Sequence, residues 1–185
     1  LARWGVEPAE LAFLDTPPAA PFAQARELLQ RLGALDERGI LTAHGQAMAE
    51  LPAHPRIAHL LLRGQALGLG NLASDLAALL GERDILRGAG ADLHSRIALL
   101  SGADKAQRGS QGGVQRARQL ARQFRGYLRG PAPEALADPE HPRWLGCLLA
   151  FAYPDRVARQ RRAGGAEYRL ANGRAALFGE PDALM

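Results

Sequence analysis

Between Leu32 and Arg56 the chain reads LGALDERGILTAHGQAMAELPAHPR, and no other stretch limits the possible folds so strongly. Three glycines and two prolines punctuate it, so only short elements fit between them. Gly33 suits the left-handed residue that closes a helix. Upstream, from about Pro21, the residues Phe22, Ala25, Leu28, Leu29 and Leu32 recur at three and four and give that helix one apolar stripe. The run LDERGILT, residues 35–42, has two short β-prone pieces around Gly39 and predicts a small hairpin. Thr42 suits the N-cap of a helix over roughly 43–51, with Ala47, Met48 and Leu51 turned inward. Pro52 ends this helix. Pro55 fits the first turn of the next, where its missing N–H costs nothing, and Ile57, Leu60, Leu61 and Leu67 give it an apolar face.

Helix, hairpin and helix in this order describe a winged-helix-like unit that hands over to a helical bundle. Residues 8–14 allow a short helix, stopped by Asp15-Thr16-Pro17-Pro18. Near the end, after Gly164-Gly165, the run EYRLANGRAALF alternates about Asn172-Gly173 and predicts two strands of a hairpin. The expected fold is mainly α: a linker over 1–18, a winged-helix unit over 19–53, a helical bundle over 54–163 and a short, incomplete β region over 164–185. A length of 185 residues with 47% hydrophobic content suffices for such cores.

Charge is distributed unevenly. Residues 1–102 hold nine Arg and no Lys against eleven acids, a net of −2, whereas 103–174 hold thirteen Arg and Lys105 against six acids, a net of +8. A local excess of this kind suits a polyanion. It is sharpest in GVQRARQLARQFRGYLR. At 100° per residue, Val114, Ala117, Leu120, Ala121, Phe124, Tyr127 and Leu128 share an arc of roughly 140°, and Arg118, Arg122, Arg125 and Arg129 cluster within roughly 60° beside it. This predicts a helix with a packed face, holding Phe124 and Tyr127, and a cationic edge able to follow a phosphate backbone. An ordinary solvated face is the alternative, but no acid occurs in 105–133 to neutralise the edge from within the helix. Arg116 lies apart and suits a bond to a neighbouring helix. Arg156 and Arg159, in the basic run RVARQRR, add a second cationic group, or else a solvated helix end.

Other chemistry is hard to place. No phosphate-binding G-x-x-x-x-G-K-[ST] loop occurs, and the one lysine follows Asp104. His44, His54, His59, His94 and His141 show no metal-ligand spacing, and no serine sits in a G-x-S-x-G elbow. Cys147, alone in WLGCLLAFAY, reads as a buried inert thiol. No apolar run reaches the eighteen or so residues of a bilayer span and no signal peptide precedes the first elements, so a cytoplasmic location with no membrane partner is expected.

The run from Ala25 to Leu62 resembles the winged-helix region of DEAH-box RNA helicases, with a leucine-glycine-alanine-leucine turn, a G-x-L-T-x-x-G-x-x-M-A run and a proline-marked helix entry. The matching positions are Leu32, Gly33, Ala34, Leu35, Gly39, Leu41, Thr42, Gly45, Met48, Ala49, Pro52 and Pro55. FLDTPPAAPFAQARELL resembles the segment leaving the second RecA-like motor lobe, and AALLGERDIL with HSRIALLSG resembles the following ratchet bundle. LARWGV, ERDILRG with ADLHSR, LLAFAYPDRVARQRR and YRLANGRAALF are similar to the bacterial HrpB branch, whose members are far longer. The chain is thus expected to be an internal fragment lying after the motor. In the family a small β-barrel begins at its C-terminal end.

The resemblance implies ATP-driven RNA unwinding, with ATP and Mg in the parent. The fragment lacks the Walker A and DEAH motifs and is expected to have no cofactor and no activity alone. The helix in the corresponding place of DEAH proteins has a similar R-x-R-x-x-x-x-Q pattern, which favours single-stranded RNA as the partner of Arg118, Arg122, Arg125, Arg129, Arg156 and Arg159. The motor lobes of the same polypeptide are the second expected partner. Two other functions compete with this one. A module that docks on the motor lobes or another protein would need no nucleic acid. A DNA-reading winged helix is disfavoured, because AHGQAMAEL, residues 43–51, holds no Arg or Lys.

Overall fold

The structure, a computed structural model, describes residues 1–86, 88, 90–103, 110–128, 142–180, 182 and 184. After a single 3-10 turn at Pro8–Glu10, shorter than the helix expected over 8–14, the chain enters α1 (Ala19–Arg31). The turn around Gly39 then forms as the sequence demands. The Asp36 carboxylate accepts the N–H groups of Arg38 (2.9 Å) and Ile40 (2.8 Å), while Gly39 takes a φ of +79° that a side chain would strain. Leu35 and Leu41 pair in one antiparallel bridge, which is all that the hairpin amounts to.

Thr42 caps α2 (Ala43–Ala49): its hydroxyl accepts the Gly45 N–H at 2.9 Å and donates to the Gly33 carbonyl at 2.6 Å. One side chain therefore joins the end of α1 to the start of α2. Gly45 is required here because a Cβ would collide with the Ala34 carbonyl. The wing core is formed by Leu32, Ala34, Met48 and Ala58, with Leu28, Leu29 and Leu51 against it.

Pro55 opens α3 (Pro55–Ala66), and α4 (Gly70–Gly81), α5 (Leu93–Ser101), α6 (Gln111–Tyr127) and α7 (Arg143–Ala152) complete the bundle. Its main core joins Leu60 and Leu61 of α3, Ala73, Leu76 and Ala77 of α4, Ala121 and Phe124 of α6, and Leu145 and Leu148 of α7. Small residues on α4 and α6 bring those two helices close, and each buried leucine contributes about 1.5–3 kcal/mol. A second cluster packs Ile85, Leu86, Leu99, Leu100, Val114 and Ala117 around α5 and the base of α6. Beside it the carboxylate of Asp84 receives the guanidinium of Arg96, only 6% exposed, which also donates to the carbonyls of Asp92 and Leu86. The ERDIL and DLHSR runs are thus two halves of one clasp, buried on the Arg96 side and open to solvent at Asp84.

Two further expectations need correction. Cys147 is exposed, because at 100° per residue it lies roughly 160° from Leu145 and roughly 140° from Ala152, turned away from the face that they bury with Leu148. The run RVARQRR is no helix end. Pro154 stops α7, Pro154–Arg156 makes one 3-10 turn, and Ala158–Gln160 forms β1. β2 (Glu167–Leu170) pairs antiparallel with β1 and with β3 (Ala175–Leu177) in the order β1-β2-β3. The expected hairpin is the β2–β3 part, turning at Asn172-Gly173. Among the described residues no helix is long and apolar enough to cross a membrane.

Candidate nucleic-acid interface

Ser110 caps α6 by accepting the Gly113 N–H, and Val114, Ala117, Ala121 and Phe124 bury one face of that helix. The predicted packed face is correct except at Tyr127, which is 43% exposed at the last turn. Burial of that face turns the arginine edge outward, where its members divide. Arg118 is half-buried and its Nε–H donates to the Leu100 carbonyl at 2.8 Å, which steadies the side chain without neutralising it. Arg122 is exposed and enters no ion pair among the described residues. Arg125 donates to the Asp75 carboxylate at 2.5 Å, so an acid from α4 supplies the neutralisation that α6 itself cannot. Arg129 lies outside the described residues. Arg116 reaches Glu82, just beyond α4, at 3.3 Å, as its position off the edge suggested.

Asp75 is unusual for a paired carboxylate. Burial raises its pKa, and the adjacent Arg125 guanidinium only partly opposes that rise. It is also the one charged residue of α4.

The second cationic group sits at the joint between bundle and sheet. The guanidinium of Arg56, from the first turn of α3, donates to both Asp155 carboxylate oxygens (2.6 and 3.1 Å) and to the Ala152 carbonyl (2.9 Å). Hydrogen bonding to Arg56 holds the Asp155 carboxyl below its ordinary range. Tyr153 carries two guanidiniums, Arg56 and Arg156, each 5.0 Å from its ring centroid. Arg156 is therefore tethered to an aromatic ring, though exposed. Arg159 projects from β1 directly opposite Arg169 of β2, both exposed and neither in an ion pair among the described residues. Like charges on facing positions repel unless an anion lies between them. Arg161, just past β1, reaches Glu167 at 3.6 Å. Sequence reasoning missed Arg169 because only strand register brings it to Arg159.

One contact of a different kind was also missed. His44 of α2 and His59 of α3 bond through Nε2 and Nδ1 at 2.8 Å, and His59 stands edge-on to Phe151. Burial first, then the charges of His44 and Arg63, lower the His59 pKa to about 4, so the pair is neutral near pH 7. It joins wing to bundle. Among the described residues no three His, Cys, Asp or Glu groups are arranged to hold a metal ion.

Comparison with known proteins agrees with this architecture. The helicase associated domain (HA2), winged-helix, matches residues 25–53. The ATP-dependent RNA helicase HrpB of Escherichia coli K12 is 36% identical over 186 aligned residues, covering all of this chain and 20% of that protein. The pre-mRNA-splicing factor ATP-dependent RNA helicase prp22 of Schizosaccharomyces pombe is 34% identical over 73 residues, 40% of this chain and 6% of that protein. Two crystal structures of the E. coli protein, described as a DExH-box NTPase and a DEAH/RHA helicase, superpose on 99% of the chain. Their TM-scores are 0.72 and 0.69, at 33% and 35% identity, over 20% and 21% of their own lengths. The chain spans about a fifth of the length of the HrpB relatives it matches.

Proposed function

The chain belongs to the HrpB-type DEAH-box helicases, as part of their helicase-associated region, and from that membership we propose that it braces a motor and holds single-stranded RNA by its phosphate backbone. The observation carrying this reading is Arg122, exposed on the α6 edge without an ion pair among the described residues, beside an Arg118 fixed by the Leu100 carbonyl. A guanidinium positioned in this way offers charge-assisted bonds to phosphate and no base identity. Arg159 and Arg169 form a second exposed cationic group on the sheet, with Arg156 over Tyr153 just before it. RNA held so would advance only as the motor lobes move it. ATP and Mg would act in those lobes, since the sequence of this chain has neither a G-x-x-x-x-G-K-[ST] loop nor a DEAH motif.

The brace has its own support. Trp4 (76% exposed), Leu14 (100%) and Ile40 (59%) leave apolar surface on the N-terminal segment and the wing, in keeping with cover by the preceding lobe. These residues also favour the second reading, a docking module without nucleic acid. Labelled oligouridylate titrated against the full-length polypeptide at two salt concentrations separates the two. RNA holding requires weaker binding at high salt and a loss on changing Arg118 and Arg122 together to Glu. Binding indifferent to both would leave docking as the function.

A further inference from the structure

We propose that Asp75 is a built-in counterion that withholds Arg125 from the RNA grip, setting the strength of the hold below what the arginine edge of α6 could deliver. The inference rests on the RNA reading above and concerns how that site is tuned. Its first support is placement. The two residues are fifty apart in sequence, on the two helices α4 and α6, and α6 has no acid of its own to offer. Ser74 and Leu76, the neighbours of Asp75, are fully buried, so the carboxylate emerges at the seam between the helices directly under the edge.

The second support is energetic. A half-buried carboxylate is costly to desolvate, and a neutral isostere in such a place is often no less stable than the ion pair. Burial outweighs the help that Arg125 gives it. Stability alone is therefore a weak reason for a charge at this position, whereas control of Arg125 is a sufficient one. The third is access. One bond, from Nη2, joins Arg125 to Asp75, and the arginine side chain keeps 35% of its surface exposed. A phosphate can approach the remaining donors but must compete with the carboxylate already there. A strand that must be let go at every step is better served by a grip of limited strength.

The test is the affinity of the full-length polypeptide for labelled oligouridylate. Asp75→Asn should tighten binding on the order of fivefold and steepen the salt dependence by about 0.7 in slope, the share of one added phosphate contact on a single strand. Both gains should vanish when Arg125→Gln is added. Equal or weaker binding by Asp75→Asn with an unchanged melting temperature would overturn the proposal. Should that variant fail to fold, the wild type still decides: saturating RNA should move the Arg125 Nε–H resonance, and an unmoved resonance refutes displacement. The two readings fail separately. Binding that is lost in Arg122→Glu yet indifferent to Asp75→Asn sinks only the role of Asp75. Binding indifferent to Arg122→Glu sinks the RNA reading and this proposal with it.

Discussion

At the scale of single residues, a few polar side chains join elements that the apolar cores alone would leave loosely related. Thr42 closes the wing, and Thr42→Ala should cost about 1 kcal/mol, read by urea unfolding. Asp155 matters more because it and Arg56 are both largely buried. Asp155→Ala leaves that guanidinium beside a bare pocket and should cost about 3 kcal/mol. Acid should act on the same bond. With its pKa held below 3.8, the Asp155 carboxylate favours the fold at all higher pH and loses that effect as pH falls through the folded value. His59 works in a different window. Its folded pKa near 4 lies under the ordinary 6.5, so the unfolded chain binds the proton more readily and stability should decline as pH falls from 6.5 towards 4. Chemical unfolding across that range should show the slope in the wild type and a shallower one in His59→Gln. A slope unaltered by the substitution would assign it to other groups.

At the scale of elements, what could be read from the sequence was what local patterning determines. The end of α1 before Gly33, the turn at Gly39, the Thr42 cap, the Pro55 start of α3 and the Asn172-Gly173 turn each follow from residues within a few positions of one another. The failures follow from partners far away. β1 is a strand because β2 lies beside it, and three residues of RVARQRR carry no period by which to announce that. Cys147 was hidden by the apolar company around it in sequence, although the helical wheel of α7 turns it away from Leu145 and Leu148. A thiol reagent should therefore label Cys147 in the native protein at nearly the unfolded rate, and labelling that requires denaturant would contradict this packing. The arginine edge was legible as a spacing. Its division into Arg118, Arg122 and a neutralised Arg125 was not, because Asp75 and Leu100 come from other helices.

At the scale of the whole molecule, the His44–His59 bond ties the wing to the bundle and the Arg56–Asp155 pair ties the bundle to the start of the sheet, while the Arg116–Glu82 pair holds α6 to the end of α4. The α6 edge and the Arg159–Arg169 pair are thus carried on helix and strand backbone, and backbone tracking calls for cationic groups on such fixed supports. The central claim is that RNA runs along that edge. Site-specific photocrosslinking tests it most directly, with a photoreactive residue at Gln119, exposed one turn before Arg122, and a control probe on Cys147 of α7. The account predicts that single-stranded RNA crosslinks at position 119 in a salt-sensitive manner and not at 147. Equal crosslinking at both positions, or none at 119 while RNA remains bound, would contradict it.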